Sequence, residues 1–262
     1  MASEAGNQGL DRTAMVLAAI AKRGPSRVAD IVNATGLGQS TVSRLLASLE
    51  RLDYVVRDAE TGAHRLGLVF LELAGAALNE QSVFRHARQP AQQLAATLGL
   101  GVNVAIRRDD ELYYLCNFEG TLAPKNFTLM GQRNPLHATG LGKCLLTGLD
   151  RAQRRALIPE LTPFTIHTVA DHDVLDDVVE GVERWGYSTE REELALGRSC
   201  VSAPIRDATG AVVAAISISG PLTALDLQTR EPEIAQHAIE VADSISTALG
   251  YHGPRSATIS VI

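Results

Sequence analysis

The stretch GLGQSTVSRLL, residues 36–46, decides the fold of the N-terminal part of this chain because it joins two helical patterns by a short turn. Apolar side chains recur at the i, i+3, i+4 spacing of one helix face over residues 28–35 and again over residues 42–49. Gly36 stands where the end of a helix favours a left-handed residue. Two helices joined in this way predict a helix-turn-helix.

The second of these helices carries short polar side chains in its first turns, on the face turned away from the apolar one: Gln39, Ser40, Thr41, Ser43 and Arg44. Arginine can bond guanine bidentately, glutamine can bond adenine, and hydroxyl groups can hold phosphates. An ordinary solvated face is the alternative, but it would more often carry Glu and Lys pairs, which are absent here. We therefore predict that this face enters the major groove of DNA.

An amphipathic helix pattern precedes these two helices, and a hairpin pattern follows them. Residues 54–57 and 63–66 are β-prone and flank a turn that contains Asp, Thr and Gly. A hairpin directly after a recognition helix is typical of the wing of a winged helix. We expect Arg57, His64 and Arg65 to contact the sugar-phosphate backbone. An ordinary surface hairpin is the alternative.

The net charge of the 262-residue chain is −6, which taken alone argues against binding to nucleic acid. Residues 1–66 carry eight Lys and Arg against seven Asp and Glu, a net of +1. The remainder carries sixteen basic and twenty-three acidic residues, a net of −7. A dimer with a local basic face is compatible with these values, so the charge permits DNA binding without requiring it.

The three cysteines, Cys116, Cys144 and Cys200, are widely spaced and form no CxxC pair. This spacing favours a reducing cytoplasm and argues against a disulfide framework or a structural zinc site. The seven histidines show no paired ligand spacing, so we expect neither a metal nor a cofactor. The N-terminus lacks the layout of a secretion signal, and no apolar run approaches the roughly 20 residues that cross a bilayer. We expect a cytoplasmic protein without a membrane partner.

The sequence predicts a winged helix-turn-helix domain over residues 1–66, a linker helix over 67–81, a second domain over 82–250 and a tail over 251–262. Within the linker, residues 67–79 are apolar almost all round, so that helix needs cover on several sides. A dimer interface would provide it. Packing entirely within its own chain is the alternative.

The second domain alternates strand and helix patterns. The strand patterns at 101–107 and 112–118 flank an acidic turn, and those at 200–205 and 211–219 flank the turn Asp207-Ala208-Thr209-Gly210. Helix patterns precede, separate and follow these hairpins. Hairpins mixed with helices predict the α+β class, with helices packed on a mostly antiparallel sheet.

Four stretches stand in a fixed order along the chain: residues 36–46, PLHATGLGK at 135–143, REE at 191–193 followed by Gly197 and Cys200, and Ala203-Pro204 followed by SISGP at 217–221. Together, over about residues 10 to 250, they resemble the IclR family of bacterial transcriptional regulators. The resemblance implies a GAF-like effector domain, dimers or dimers of dimers, and binding to double-stranded operator DNA that a small metabolite modulates. It places effector contacts at Gly140, Leu141, Glu190, Cys200, Ser217 and Ser219.

The residue types agree with several of these contacts. Thr139 can cap a helix, so that the backbone N–H groups of Gly140 and Leu141 would point at an anion. Ser217 and Ser219 lie two apart on a strand and therefore face the same side. Such donors fit a small organic acid, although a strand face wetted by solvent is the alternative for the two serines.

Four side chains at or near this site have alternative interpretations. Glu190 stands where the family more usually has Asp, and an acid beside a carboxylate ligand is unfavourable unless it accepts a hydrogen bond or is protonated. Cys200 is equally well explained as a small buried packing residue. His137 and Lys143 are expected to fix the loop rather than contact the ligand.

Other function classes fit the sequence less well. A thiol hydrolase would use Cys200 as nucleophile with His137 as base and Glu190 as orienting group, but no nucleophile motif supports it. A phosphate-binding loop at residues 140–143 fails because His137 and Cys144 stand where Gly and Ser or Thr are required. A ligand-binding scaffold that does not bind DNA would leave Arg44 and its hydroxyl-rich face unexplained. We expect no catalytic residue.

Overall fold

The computed structural model describes residues 8–124 and 127–253. These residues fall into two compact units that divide between Glu80 and Gln81. The predicted boundaries at residues 66/67 and 81/82 stay predictions, and most of the predicted tail, residues 254–262, lies outside the described residues. No helix in the described part of the chain combines the length and apolar character that crossing a membrane requires.

The first unit begins with three helices and a two-stranded antiparallel hairpin, as predicted. Its core contains Val16, Ile31, Val42, Leu46 and Val55, which come from all three helices and the first strand. The second helix ends at Gly36 with φ +70°, the left-handed conformation that its position predicts. The elements are α1 Gln8–Arg23, α2 Val28–Thr35, α3 Gln39–Arg51, β1 Val55–Arg57, β2 His64–Leu66 and α4 Val69–Glu80.

Helix α4 is apolar, and the described chain covers it only in part, where Phe70 packs edge-on against Tyr54. None of its residues is buried. Leu71 and Leu73 are 69% and 52% exposed, and Leu68, just before the helix, is 67% exposed. The cover that the sequence predicts for this helix is therefore supplied only in part by the described residues.

The second unit contains a six-stranded antiparallel sheet in the order β5-β4-β3-β8-β7-β6, which confirms the predicted α+β class. Two edge strands, β5 and β6, and the short helices α7 and α9 are additions to the predicted elements. The elements are α5 Ser82–Leu98, β3 Gly101–Arg108, β4 Glu111–Phe118, β5 Arg133–Pro135, α6 Gly140–Leu145, α7 Arg151–Leu157, α8 His172–Trp185, β6 Ser188–Arg191, β7 Arg198–Arg206, β8 Val212–Pro221, α9 Leu222–Leu225 and α10 Glu231–Ala248.

Helices lie on both faces of this sheet. Helices α5 and α10 contact each other and pack against β3, β4, β7 and β8. Helix α6 packs on five strands and contacts α8, and between them lies a core that includes Leu141, Leu145, Leu175, Val179 and Ala215. The face of the sheet under α6 carries the candidate site.

Candidate ligand site and nucleic-acid surface

A cavity of about 170 Å³ lies between the sheet of the second unit and the start of α6. A cavity of similar size, about 150 Å³, holds a benzene molecule in another protein, so this one suits a small ligand. Five of the six residues predicted to contact an effector line it, namely Leu141, Glu190, Cys200, Ser217 and Ser219. The remaining lining residues are Asn103, Tyr114, Phe127, Leu129, Asn134, Thr139, Leu194, Ala195, Arg198 and Ser199.

Polar side chains cross the sheet beneath the cavity in a row set by strand register. Ser202 of β7 pairs with Ser217 of β8, and Ser217 pairs in turn with Asn103 of β3. The amide nitrogen of Asn103 donates to the hydroxyls of Ser217 at 3.2 Å and Ser219 at 3.1 Å. Both serines therefore face the α6 side, as their spacing of two predicts, and an amide holds them in place.

Glu190 is held at the edge of the cavity by the loop that follows β6. Its Oε1 accepts hydrogen bonds from the N–H groups of Glu193 at 2.6 Å and Leu194 at 3.3 Å. Burial raises the pKa of its carboxyl, and the two N–H donors oppose that rise. The Glu190 side chain thus fixes the loop as well as lining the cavity.

Helix α6 begins where the sequence predicts. The hydroxyl of Thr139 accepts from the Gly142 N–H at 3.0 Å, and the Ser188 hydroxyl donates to the Gly140 carbonyl at 2.7 Å. Gly140 itself lies against Cys200 and Ser202, beside the cavity rather than in its lining. The helix has only six residues, so its dipole contributes little to an anion site.

His137 and Lys143 hydrogen-bond to neighbouring segments of this region and are not among the residues that line the cavity. The His137 Nε2 lies 3.0 Å from the carbonyl oxygen of Thr162. The ammonium group of Lys143 is fully buried and donates to the Thr189 carbonyl at 3.3 Å and to the carboxylate of Glu193.

The thiol of Cys200 is buried, and its pKa is raised because burial disfavours the thiolate and because Glu190 adds a negative charge nearby. Its sulfur lies 3.8 Å from the Ser202 hydroxyl. With His137 bonded to Thr162, the structure does not show the cysteine–histidine pair that a thiol hydrolase requires. Among the described residues there is also no cluster of three metal-ligating side chains.

Several polar residues of the cavity were not predicted from the sequence, chiefly Asn103, Tyr114, Asn134 and Arg198. Arg198 stands two residues before Cys200 on β7, so the two side chains share a face, but the predicted strand began only at residue 200. The other three come from β3, β4 and β5, which reach the site only through sheet topology.

The predicted nucleic-acid surface lies on α3 and the hairpin of the first unit. Gln39, Ser40, Ser43 and Arg44 are exposed, and Thr41 is half-buried. Helix α3 begins after Gly38, and no side chain caps its N-terminus. The helix therefore offers polar side chains and free N–H groups on one exposed surface.

The hairpin confirms part of the predicted wing. Arg57 and Arg65 are exposed on neighbouring strands. The prediction for His64 is wrong, because its side chain is buried and its Nε2 lies 2.9 Å from the carboxylate of Glu50. His64 also exchanges backbone hydrogen bonds with Ser26, so it joins the hairpin to the helices instead of facing DNA.

Comparison with known proteins covers both units. The family described as the IclR helix-turn-helix domain matches residues 9–59, and the bacterial transcriptional regulator IclR C-terminal family matches residues 75–247. The HTH-type transcriptional repressor AllR of Escherichia coli strain K12 is 34% identical over 253 residues, which are 95% of this chain and 92% of AllR. AllR of Salmonella typhimurium is 34% identical over 257 residues, 96% of this chain and 93% of that protein.

Solved structures agree with the sequence comparison. A putative transcriptional regulator from Rhodococcus sp. RHA1 matches with a TM-score of 0.82 and 27% identity, over 92% of this chain and 98% of that one. The IclR regulator of Alicyclobacillus acidocaldarius matches with a TM-score of 0.80 and 25% identity, over 93% of this chain and 99% of that one. The chain belongs to the IclR family of bacterial transcriptional regulators, with an N-terminal helix-turn-helix domain and a C-terminal effector domain.

Proposed function

We propose that this chain is a cytoplasmic transcriptional repressor whose binding to a double-stranded operator is modulated by a small organic acid in the cavity of the second unit. The exposed polar face of α3 carries the DNA-binding part of the proposal. The similarity to AllR, a repressor, supports repression rather than activation.

On DNA, α3 lies in the major groove with Gln39, Ser43 and Arg44 toward the base edges. The uncapped start of the helix, near Ser40, offers N–H groups to a phosphate. Arg57, Arg65 and Thr41 contact the sugar-phosphate backbone. In this arrangement α3 provides the sequence specificity, and α3 and the wing together provide the affinity for the backbone.

The active form is a homodimer or a dimer of dimers in which the exposed face of α4 is covered by a second copy. The leucines at 68, 71 and 73 support this proposal, because an exposed apolar helix marks an interaction surface. A two-fold dimer would also present two α3 helices to a palindromic operator, about one DNA turn apart. Occupancy of the cavity then shifts the arrangement of the dimer and with it the affinity for DNA.

The ligand is bound without being chemically changed. Leu141, Glu190, Cys200, Ser217 and Ser219 contact it, and Gly140 sets the approach of α6 to the sheet. The protonated, buried Cys200 thiol supports binding over nucleophilic catalysis.

Selection of bound duplexes from a random pool tests the DNA-binding proposal without assuming a promoter. The recovered consensus is then titrated with the full chain by fluorescence anisotropy, over a salt series and with excess non-specific duplex. We expect a palindromic consensus and binding that survives the competitor. If no consensus emerges, the proposed function falls and the chain is a ligand-binding protein of another kind.

A further inference from the structure

Arg198 brings a positively charged guanidinium group to the cavity. It lines the cavity at the start of β7, and its Nη2 is buried without a hydrogen-bond acceptor in the described part of the chain. Arg198 also forms no ion pair with a described carboxylate. This is so although Glu190 of β6 lies opposite Cys200 in the sheet, and Cys200 is only two residues further along β7 than Arg198. A buried guanidinium donor without a partner is unfavourable, so an acceptor from outside the chain would bind it well.

Tyr114 adds a second donor near Arg198. Its hydroxyl oxygen accepts from the Asn134 amide at 3.1 Å, which leaves the phenolic proton without an acceptor in the described residues. Burial raises the pKa of Tyr114 to about 12, and the charge of Arg198 is close enough to oppose part of that rise. The tyrosine therefore keeps its proton at neutral pH and can donate it to a ligand oxygen.

Glu190 supplies the opposite chemistry at the same cavity. Both hydrogen bonds that it accepts from described residues go to Oε1, from Glu193 and Leu194. No described residue donates a hydrogen bond to its Oε2. The cavity thus presents unused donors on Arg198 and Tyr114 and an unused acceptor on Glu190.

We propose that Arg198 binds the carboxylate of the effector while Glu190 accepts a hydrogen bond from a hydroxyl, amino or amide N–H group of the same molecule. This assignment rests on the proposed function and names its ligand class, a small acid that also carries a hydrogen-bond donor. A cavity of about 170 Å³ suits a molecule near the size of benzene, about six to eight non-hydrogen atoms.

The two side chains together select against related molecules. A simple carboxylate would leave the second oxygen of Glu190 without a donor and close to a negative charge. A neutral amide would leave the guanidinium of Arg198 without an anion. Only a molecule with both groups satisfies both side chains.

Calorimetric titration of the full chain with three molecules of equal size tests this assignment. The probes are 2-hydroxyisobutyrate, pivalate, in which a methyl group replaces the hydroxyl, and 2-hydroxyisobutyramide, which is neutral. We expect the hydroxy acid to bind about tenfold more tightly than either of the others, the factor expected for one hydrogen bond to a charged group.

Two variants separate the two contacts. Arg198→Gln should reduce binding of the hydroxy acid to that of the amide. Glu190→Gln keeps an oxygen for the loop N–H groups but presents a neutral NH2 group that cannot accept the hydroxyl proton of the probe, so it should reduce the preference over pivalate. Arg191→Gln is the matched control, because the exposed Arg191 is bound to Glu231 outside the cavity and its loss should leave all three affinities unchanged.

Equal binding of the three probes, an unaltered Arg198→Gln variant, or absence of binding by every probe at millimolar concentration would overturn the assignment. Binding of the selected operator by the same proteins, measured without any probe, reports on the proposed function separately. Loss of operator binding with intact probe discrimination would remove the regulatory role and leave the ligand assignment standing.

Discussion

The backbone of Gly140 lies so close to Ser202 that a Cβ on residue 140 would come 2.7 Å from the Ser202 hydroxyl oxygen and 2.9 Å from the Cys200 sulfur. Glycine at this position therefore lets the start of α6 rest directly on the sheet beside the cavity. The close approach places Gly140 beside the cavity, although it is not among the residues that line it.

Gly140→Ala should move α6 away from the sheet, with a loss of about 1–3 kcal/mol in the free energy of unfolding and weaker ligand binding. Urea denaturation and calorimetry measure the two effects. Gly181→Ala, in the middle of α8, is the matched control. Its Cβ would meet only Trp185 at 3.8 Å, so that variant should keep or gain stability. Equal stability of the two variants would show that the close contact at Gly140 is unimportant.

Lys143→Met should destabilise the second unit by about 3–5 kcal/mol, because it leaves the buried carboxylate of Glu193 without its partner. The double variant Lys143→Met/Glu193→Leu should recover most of that loss. Arg133→Met removes an exposed bridge to Glu111 and should change stability by no more than about 1 kcal/mol. Chemical denaturation measures the free energy of unfolding of each variant. A Lys143→Met variant as stable as the Arg133→Met variant would contradict a structural role for Lys143.

The raised pKa of Glu190 predicts a specific dependence of stability on pH. Because burial raises its pKa in the folded chain above the ordinary value of 4.5, this group favours folding when protonated. That contribution is fully present below pH 4.5 and is lost as the pH rises through the folded value. Glu190→Gln should therefore flatten the stability profile in this window.

Glu180 is the control for this pH experiment, because its pKa is shifted in the opposite direction. Its pKa is lowered, mainly by the hydrogen bond from Arg151, so its contribution is present above its ordinary pKa and disappears on acidification. Glu180→Gln should reduce the loss of stability on acidification. Denaturation midpoints over a pH series measure both variants, and parallel profiles for Glu190→Gln and the unaltered chain would refute the assignment to Glu190.

Leu71→Glu should dissociate the proposed oligomer, because it places a charge on the exposed apolar face of α4. Ile166→Glu is the matched control, since Ile166 is 91% exposed in a loop of the second unit and should tolerate the charge. Analytical ultracentrifugation measures the mass of each variant. A Leu71→Glu protein with the mass of the unaltered oligomer would mean that α4 is not the dimer interface.

Much of the fold follows from local patterns in the sequence. The spacing of apolar residues predicts α2 and α3, and Gly36 marks the end of α2 because glycine readily adopts the left-handed conformation that ends the helix there. The turn at 207–210 predicts the β7–β8 hairpin for a similar reason. In each case the deciding residues are neighbours along the chain.

Features that depend on distant residues were not predictable in the same way. Strands β5 and β6 have three and four residues, too few for a period-two pattern. The burial of His64 depends on Glu50, which lies in α3. Arg198 was not predicted to line the site, because a charged residue at the start of a strand is expected to be exposed unless the cavity above it is known.

The most direct test of the account compares Arg44→Ala with Lys22→Ala on the selected operator by anisotropy. Arg44 is on the exposed face of α3, whereas Lys22 is a basic residue in the last turn of α1. We predict that Arg44→Ala weakens specific binding by about 1–3 kcal/mol and relaxes the base preference at one position, while Lys22→Ala leaves both unchanged. If the two variants bind the operator alike, with the same base preferences as the unaltered chain, α3 does not read DNA and the central claim is wrong.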